Sequence, residues 1–436
     1  MYYRLTLTDR QLQNREELLQ AFAAVPVGTT QLDISNSNLN FAKTDDLIQA
    51  FSDLGAELTD IIFCNTNLHL VAECSLVMKT ICQQFDLERL DLESNQLGEL
   101  SGEALGLILH EINAKTLSLD DNDLQHLGGE PMSRAFEQLG DTVKKLSLRE
   151  NSLSRLPAPQ LTTGLGALRF INTLDLSIND LNLQAGSDLK GVFQSLSQTI
   201  TALVLRSNNL GLLGDTLATA LEGVADHVET LDISHNEFIE LTPEQLNHVL
   251  ATPRVTELIV CQAGLGFSTS DELATSLSSV SPQVKKLLIS KNNLELKSAE
   301  YLADIFAATP ESVEFIWYND EGYLGRDLLL QRYPHADDSR PDDILDVPSI
   351  NENADPVSDY SFYIKCLAGL TLVAGASLLV AGIILLKSAL IYTGTALLAT
   401  SAASVALSSY SMFSNKPSPK SSDQLPELDS TSSCHV

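Results

Sequence analysis

The sequence predicts an α/β solenoid, with a parallel sheet on its concave side and helices on its convex side, followed by a transmembrane helical hairpin. Three observations carry this. A short strand-like phrase, Leu-x-Leu or a close variant, returns twelve times at intervals of 27 to 29 residues, and seven copies carry an Asn five residues after the first Leu. Between copies, apolar residues fall at helical spacing. Near the other end of the chain, Cys366–Leu386 runs 21 residues without a charge.

The copies begin at Leu5, Leu32, Ile61, Leu90, Leu117, Leu146, Leu174, Leu203, Leu231, Leu258, Leu287 and Phe315. In "TLDLSINDL" the inward residues are Leu174 and Leu176, and Asn179 follows. Equivalent Asn residues stand at Asn95, Asn122, Asn151, Asn208, Asn236 and Asn292, whereas the slot holds Arg10, Ser37, Thr66, Ala263 and Asp320 in the other units. A buried strand end leaves backbone N–H and C=O groups without sheet partners, which is costly. A primary amide offers both donors and an acceptor. Stacked Asn side chains are therefore expected to satisfy the turns of neighbouring units. Ser37 and Thr66 can do this in part and Ala263 cannot, so the solenoid is expected to be less regular there.

The second half of each unit reads as a helix. Leu217, Leu221, Val224 and Val228 share one helical face, as do Leu47, Phe51 and Leu54. One unit cannot bury such a face alone, but a stack can. Parallel strands repeat every ~4.8 Å, while packed helices need about 8–10 Å. Joining both layers unit by unit puts the sheet on the shorter, concave side.

The phrase and its period resemble the leucine-rich repeat, whose unit reads L-x-x-L-x-L-x-x-N-x-L, in its long, ribonuclease-inhibitor-like form. The resemblance covers residues 1–331, and seven of the twelve units carry the Asn. It implies a horseshoe that binds a protein partner on its concave face.

On that face the strand residues one, three and four places after the first Leu point outward. They supply nine acids: Asp9, Asp33, Asp91, Glu93, Asp120, Asp121, Glu150, Asp175 and Asp232. Only Arg149, Arg206 and Lys291 oppose them. The last three units instead carry Ile259, Leu288 and Ile316 in register, with Cys261 and Tyr318 beside them. Such a stripe either marks a contact or is capped by the segment that follows. The partner-binding set is thus Asp120, Arg149, Asp175, Arg206, Asp232, Ile259, Leu288, Ile316 and Tyr318. An acidic face and a formal charge of −30 exclude nucleic acid, which requires a basic surface.

Residues 332–361 are rich in acids and prolines, too polar to form a core, and read as a disordered linker. The 362–413 region follows. As a helix, 366–386 spans roughly 30 Å, a bilayer core, with Ala368, Gly375 and Gly382 forming a small-residue face. A second uncharged stretch, about 389–409, completes a hairpin. Lys365, Lys416 and Lys420 flank its outer ends, which places both ends, and the repeats, in the cytosol. Residues 414–436 read as a disordered polar tail. The start of the chain lacks an apolar signal region. The six cysteines form no disulfide-like framework, so a reducing compartment is expected for the repeats.

No P-loop, HExxH or GxSxG motif occurs. No catalytic residue, metal ligand or cofactor is assigned. His235 beside Asp232 is the sole acid–His pair on the face, too little for a catalytic reading. The combination of repeats with a C-terminal membrane segment resembles the Legionella-type effectors delivered into host cells by type IV secretion. That resemblance implies a non-enzymatic, membrane-anchored scaffold. The alternative is a GTPase activator of the Ran type, which has the same repeats and an Asn and Arg at the solenoid rim.

Overall fold

The computed structural model describes residues 1–294 and 297–316. Contacts divide the chain into Met1–Ser349 and Ile350–Val436. All described residues belong to the first unit. The linker, the 366–409 hairpin and the tail lie outside the described residues. Among the described residues, no helix is long and apolar enough to cross a membrane.

Twelve three-residue strands form one parallel sheet in strict sequence order. They are β1 (Tyr2–Arg4), β2 (Gln31–Asp33), β3 (Asp60–Ile62), β4 (Arg89–Asp91), β5 (Thr116–Ser118), β6 (Lys145–Ser147), β7 (Thr173–Asp175), β8 (Ala202–Val204), β9 (Thr230–Asp232), β10 (Glu257–Ile259), β11 (Lys286–Leu288) and β12 (Glu314–Ile316). From β2 onward each predicted first Leu pairs with the next, as in Leu146↔Leu174 and Leu174↔Leu203. These residues are 0–1% exposed from Leu32 to Leu287. A fully buried Leu contributes about 1.5–3 kcal/mol of hydrophobic stabilisation, so the inward row is one of the contacts that hold each unit to its neighbours.

The first unit departs from the sequence reading. Tyr3, not Leu5, pairs with Leu32. Thr8 caps a helix, α1 (Asp9–Gln13), by accepting from the Gln11 N–H. That commits the backbone only three residues after Leu5, and no strand turn fits there. Asp9 consequently sits in the first turn of α1 and not on the sheet face.

Strands β2 to β10 are each followed by a tight 3₁₀ turn and then by a helix whose apolar face is buried. Leu47, Ala50 and Phe51 of helix Thr44–Ser52 are fully buried. Phe51 meets Phe22 edge-on, with ring centroids 5.0 Å apart. The helix read through Val228 is shorter than its spacing implied. It ends at Leu221, and Val224 and Val228 reach the core from the following turns. A Cβ on Gly223 would lie 2.4 Å from the Lys190 carbonyl oxygen of the preceding unit, so the close approach of the two units there requires glycine.

The Asn ladder is present as a bonded column. Asn95, Asn122, Asn151, Asn179, Asn208, Asn236 and Asn292 are all fully buried. Each Oδ1 accepts two backbone N–H groups of the preceding unit. For Asn151 these come from Asn122 at 3.0 Å and Leu124 at 3.2 Å. Each Nδ2 donates to carbonyls of its own and the preceding unit, as Asn151 does to Arg149 and Leu119 at 2.9 Å each. Thr66 joins through its hydroxyl, which bonds Phe63 O and Asn95 Oδ1 at 2.9 Å. The irregularity expected at Ala263 does not occur in the strands. β10 keeps the register of its neighbours on both sides, because buried Leu258 and the sheet hydrogen bonds hold it without the amide.

From the third unit to the eleventh, the slot residue is flanked by two residues in the left-handed region, such as Glu150 and Ser152 (φ 55 and 51). In the seventh unit the pair is Ile178 and Asp180 (φ 55 and 52). A β-branched residue is strained there by roughly 1–2 kcal/mol. The same offset holds Asn36 and Asn65 in earlier units. Ile178→Asn is therefore expected to raise stability by about 1 kcal/mol, read as a higher urea midpoint at unchanged slope. A lower midpoint would show that Ile178 packing outweighs its backbone strain.

Candidate functional site

The sheet face is built from side chains one and three residues after each inward Leu. Parallel strands at ~4.8 Å bring these side chains into rows, one per unit, so neighbours in space lie about 28 residues apart in sequence. The rows are more enclosed than an outward-pointing pattern suggests. Asp120 is 8% exposed, Asp175 4% and Asp232 fully buried, while Arg149 and Arg206 keep more solvent contact.

Much of the acidic row is engaged within the chain. Asp33, Asp91, Asp175 and Asp232 each accept the backbone N–H two residues ahead, from Ser35 (2.9 Å), Glu93 (3.1 Å), Ser177 (2.8 Å) and Ser234 (2.9 Å). This caps the strand ends. Asp33 is also held by Tyr2 at 2.6 Å and Arg4 at 3.6 Å, Asp91 by Arg89 at 3.2 Å, and Asp232 by Arg206 Nε at 2.5 Å. Asp232 is thus engaged by Arg206 and by the Ser234 N–H.

Within this row the structure brings together Glu93, Asp120, Arg149 and Asp175. Asp120 accepts from the Ser147 hydroxyl and from Arg149 N at 2.9 Å. Burial pushes its carboxyl up to about 7, with Asp175 adding to the rise and Ser147 and Arg149 opposing it. Glu93 is likewise raised to about 7 by burial and by Asp91 and Asp121, against Arg149. Burial also raises Asp175, with Arg149 the main opposing charge. The arrangement sets three carboxyls, each raised by burial, around one guanidinium. Glu93 was among the outward acids of the sequence reading but not in its partner-binding set; the serines of the row were missed, and their signal was the recurring acid–x–Ser phrase, as in "DLS" and "DIS".

Ile259 and Leu288 do not form an exposed stripe. They are 3% and 0% exposed and pack together with Cys261, because their strands pair directly, Ile259 against Leu288. Ile316 lies in β12 opposite Leu288, and Tyr318 lies outside the described residues. The Cys64 and Cys261 thiols on this face are pushed up to about 12 and about 11 by burial and nearby carboxylates, which disfavours the reactive thiolate. Among the described residues no group of three or more His, Cys, Asp or Glu side chains is placed to hold a metal.

A pH dependence follows. In the folded chain Glu93 and Asp120 hold protons to about pH 7, well above ordinary carboxylates at about 4. Between those limits the native state binds more protons than the unfolded state, so their contribution is fully present below about pH 4 and is lost as pH rises towards 7. Asp120→Asn is expected to flatten this fall in urea-unfolding free energy between pH 5 and 8. An unchanged slope would show that Asp120 does not titrate in that window.

The solved structure of the leucine-rich repeat-containing protein LegL7 from Legionella pneumophila matches with a TM-score of 0.58. It is 23% identical, over 77% of this chain and 99% of that one. The fold is that of a leucine-rich-repeat solenoid. A chain of the yeast Rad7–Elc1 complex matches at 0.35, with 19% identity over 67% of this chain and 70% of that one, too low a score to carry an argument. Toll-like receptor 2 of Equus caballus is 29% identical over 174 residues, 38% of this chain. That match spans only 21% of the receptor's length. No family model matches the chain.

Proposed function

We propose that this protein is a non-catalytic scaffold that captures a protein partner on the sheet face of its repeats. The observation that carries the reading is the continuous twelve-stranded face, on which Glu93, Arg149 and Arg206 keep solvent contact above the buried carboxyls of Asp120, Asp175 and Asp232. Long repeat faces suit extended protein contacts. The surface favours a partner presenting Lys or Arg to Glu93 and Asp120 and a carboxylate to Arg149. A cationic partner would drive the two raised carboxyls to ionise, so its binding strengthens as pH rises through 7.

The finer reading is that 366–409 anchors the scaffold to a membrane with the repeats in the cytosol, and that the protein acts as a bacterial effector inside a host cell. Its support is the uncharged 366–386 segment and its combination with a repeat domain. The test is capture from host-cell lysate with the full chain as bait, against Arg149→Glu. A partner retained by the first and lost by the second is the expected result. Equal capture by both would remove the sheet face as the binding site. Deleting 366–409 is expected to move the chain from the membrane pellet to the supernatant, and a truncated chain that still pellets would sink the anchor.

A further inference from the structure

The 3₁₀ turns that follow the strands form a second surface, along one flank of the solenoid. Consecutive turns are bonded to each other: Asn182 N donates to Asn208 O at 3.2 Å, Gly211 N to Asn236 O at 2.8 Å and Gly266 N to Asn292 O at 2.9 Å. The turns' first residues (Leu181, Leu210, Phe238 and Leu265) are buried, but a later residue of each points out. Leu183, Leu212, Ile239 and Phe267 are 69%, 57%, 52% and 65% exposed. They occupy four successive units. Ile239 and Phe267 close over Gly264, where a Cβ would lie 3.2 Å from Ile239 Cβ and 3.6 Å from the Phe267 ring. At the same place in the fourth to sixth units stand Glu99, His126 and Arg155, with His126 and Glu99 3.0 Å apart. The apolar row therefore has a polar boundary on that side.

Single exposed apolar residues are ordinary, but a cluster on successive units is not: Leu183, Leu212 and Phe267 share one place in the repeat, Glu240 takes that place in the ninth unit, and Ile239, one residue earlier, stands beside Gly264 and Phe267. The charge around it selects the occupant. Between Arg206 and Arg254 the chain has no Lys or Arg and eight acids. Asp180, Glu237, Glu240 and Glu244 are all exposed. An apolar ridge with an acidic margin repels an anionic lipid surface. It is also poorly matched to the uncharged 366–386 segment, which has no cation to offer that margin, and a second copy would set acid against acid.

The geometry points to a basic amphipathic helix of a protein partner, its apolar stripe on Leu183, Leu212, Ile239 and Phe267 and its Lys or Arg residues against Glu237 and Glu240. Three intervals of between ~4.8 Å and ~10 Å per unit give a row of roughly 15–30 Å. An amphipathic helix of about 14–18 residues covers that length, with apolar residues every three or four positions. This surface is distinct from the sheet face, and changes to it leave Arg149 and Asp120 untouched.

The experiment uses the full chain in neutral-lipid nanodiscs, with empty nanodiscs as blank. The probe is a fluorescent synthetic helix of Leu and Lys, about 18 residues long; a scrambled peptide of the same composition is the comparison. The expected result is saturable binding of the amphipathic peptide. It should weaken at least tenfold in Leu212→Ser/Phe267→Ser and in Glu237→Lys/Glu240→Lys, and stay unchanged in Lys79→Ala, an exposed helix position of the third unit. All four flank side chains are exposed, so the thermal midpoints should stay near that of the parent, which separates lost binding from lost fold. Equal binding of the scrambled peptide, or full binding by the flank variants, would overturn the proposal. So would concentration-dependent dimerisation, or binding to anionic vesicles, that the flank variants abolish while leaving peptide binding intact.

Discussion

Asn179→Ala is expected to lower the unfolding free energy by about 3 kcal/mol. The Asn179 side chain makes five bonds in a fully buried site. Its Oδ1 accepts Asn151 N at 3.0 Å and Leu153 N at 3.1 Å. Its Nδ2 donates to Leu148 O at 2.9 Å and to Leu176 O and Ser177 O at 3.0 Å each. Removing the amide leaves two buried N–H groups without an acceptor, each costing roughly 1–3 kcal/mol; the carbonyls lose less because each has a second lone pair. In a solenoid, stability is a sum over units and nearest-neighbour contacts, so the loss falls on the contact between the sixth and seventh units. The urea midpoint should drop while partner capture, measured where the variant is still folded, persists. A midpoint within error of the parent would refute the ladder as a stabilising device. The native gap at Ala263 sets the scale: one missing rung does not break register, since β10 pairs normally on both sides.

The repeated part of the fold was legible because one physical problem recurs in every unit. Buried strand ends need an amide, and inward strand residues need to be apolar, so the same letters return every 27–29 residues. What one unit does alone was less legible. The first strand slips to Tyr3 because Thr8 caps a helix. The paired left-handed residues beside each slot carry no common residue type: Ser94, Asp121, Glu150, Ile178 and His235 all adopt φ near +55. The sheet face was half legible. Which side chains point outward follows from strand alternation, and Asp120, Arg149, Asp175, Arg206 and Asp232 do lie there. Their exposure does not follow: Asp120, Asp175 and Asp232 are buried between neighbouring strands while Arg206 stays exposed. Asp175 and Asp232 look alike in "LDLS" and "LDIS", yet only Asp232 has an arginine hydrogen-bonded to it, Arg206 from the preceding unit.

That pair separates fold from function. Arg206→Ala is expected to cost about 2–3 kcal/mol. Removing one member of a buried ion pair costs about 3–5 kcal/mol, and the lower figure reflects the Arg206 side chain, which is 44% exposed and admits water when truncated. Asp232, fully buried, would keep only the Ser234 N–H. The pair is flanked in register by Val204 and Ile259, both nearly fully buried. Arg206→Leu/Asp232→Val would extend that apolar row, and replacing a buried ion pair by apolar residues of similar size is often neutral or stabilising. The double variant should therefore unfold near the parent's midpoint even though Arg206→Ala does not. If the sheet face recognises its partner by charge, the restored chain will still fail to capture it. Capture at parental affinity would confine the charged site to Glu93, Asp120, Arg149 and Asp175 and leave Arg206 with a role only in holding Asp232.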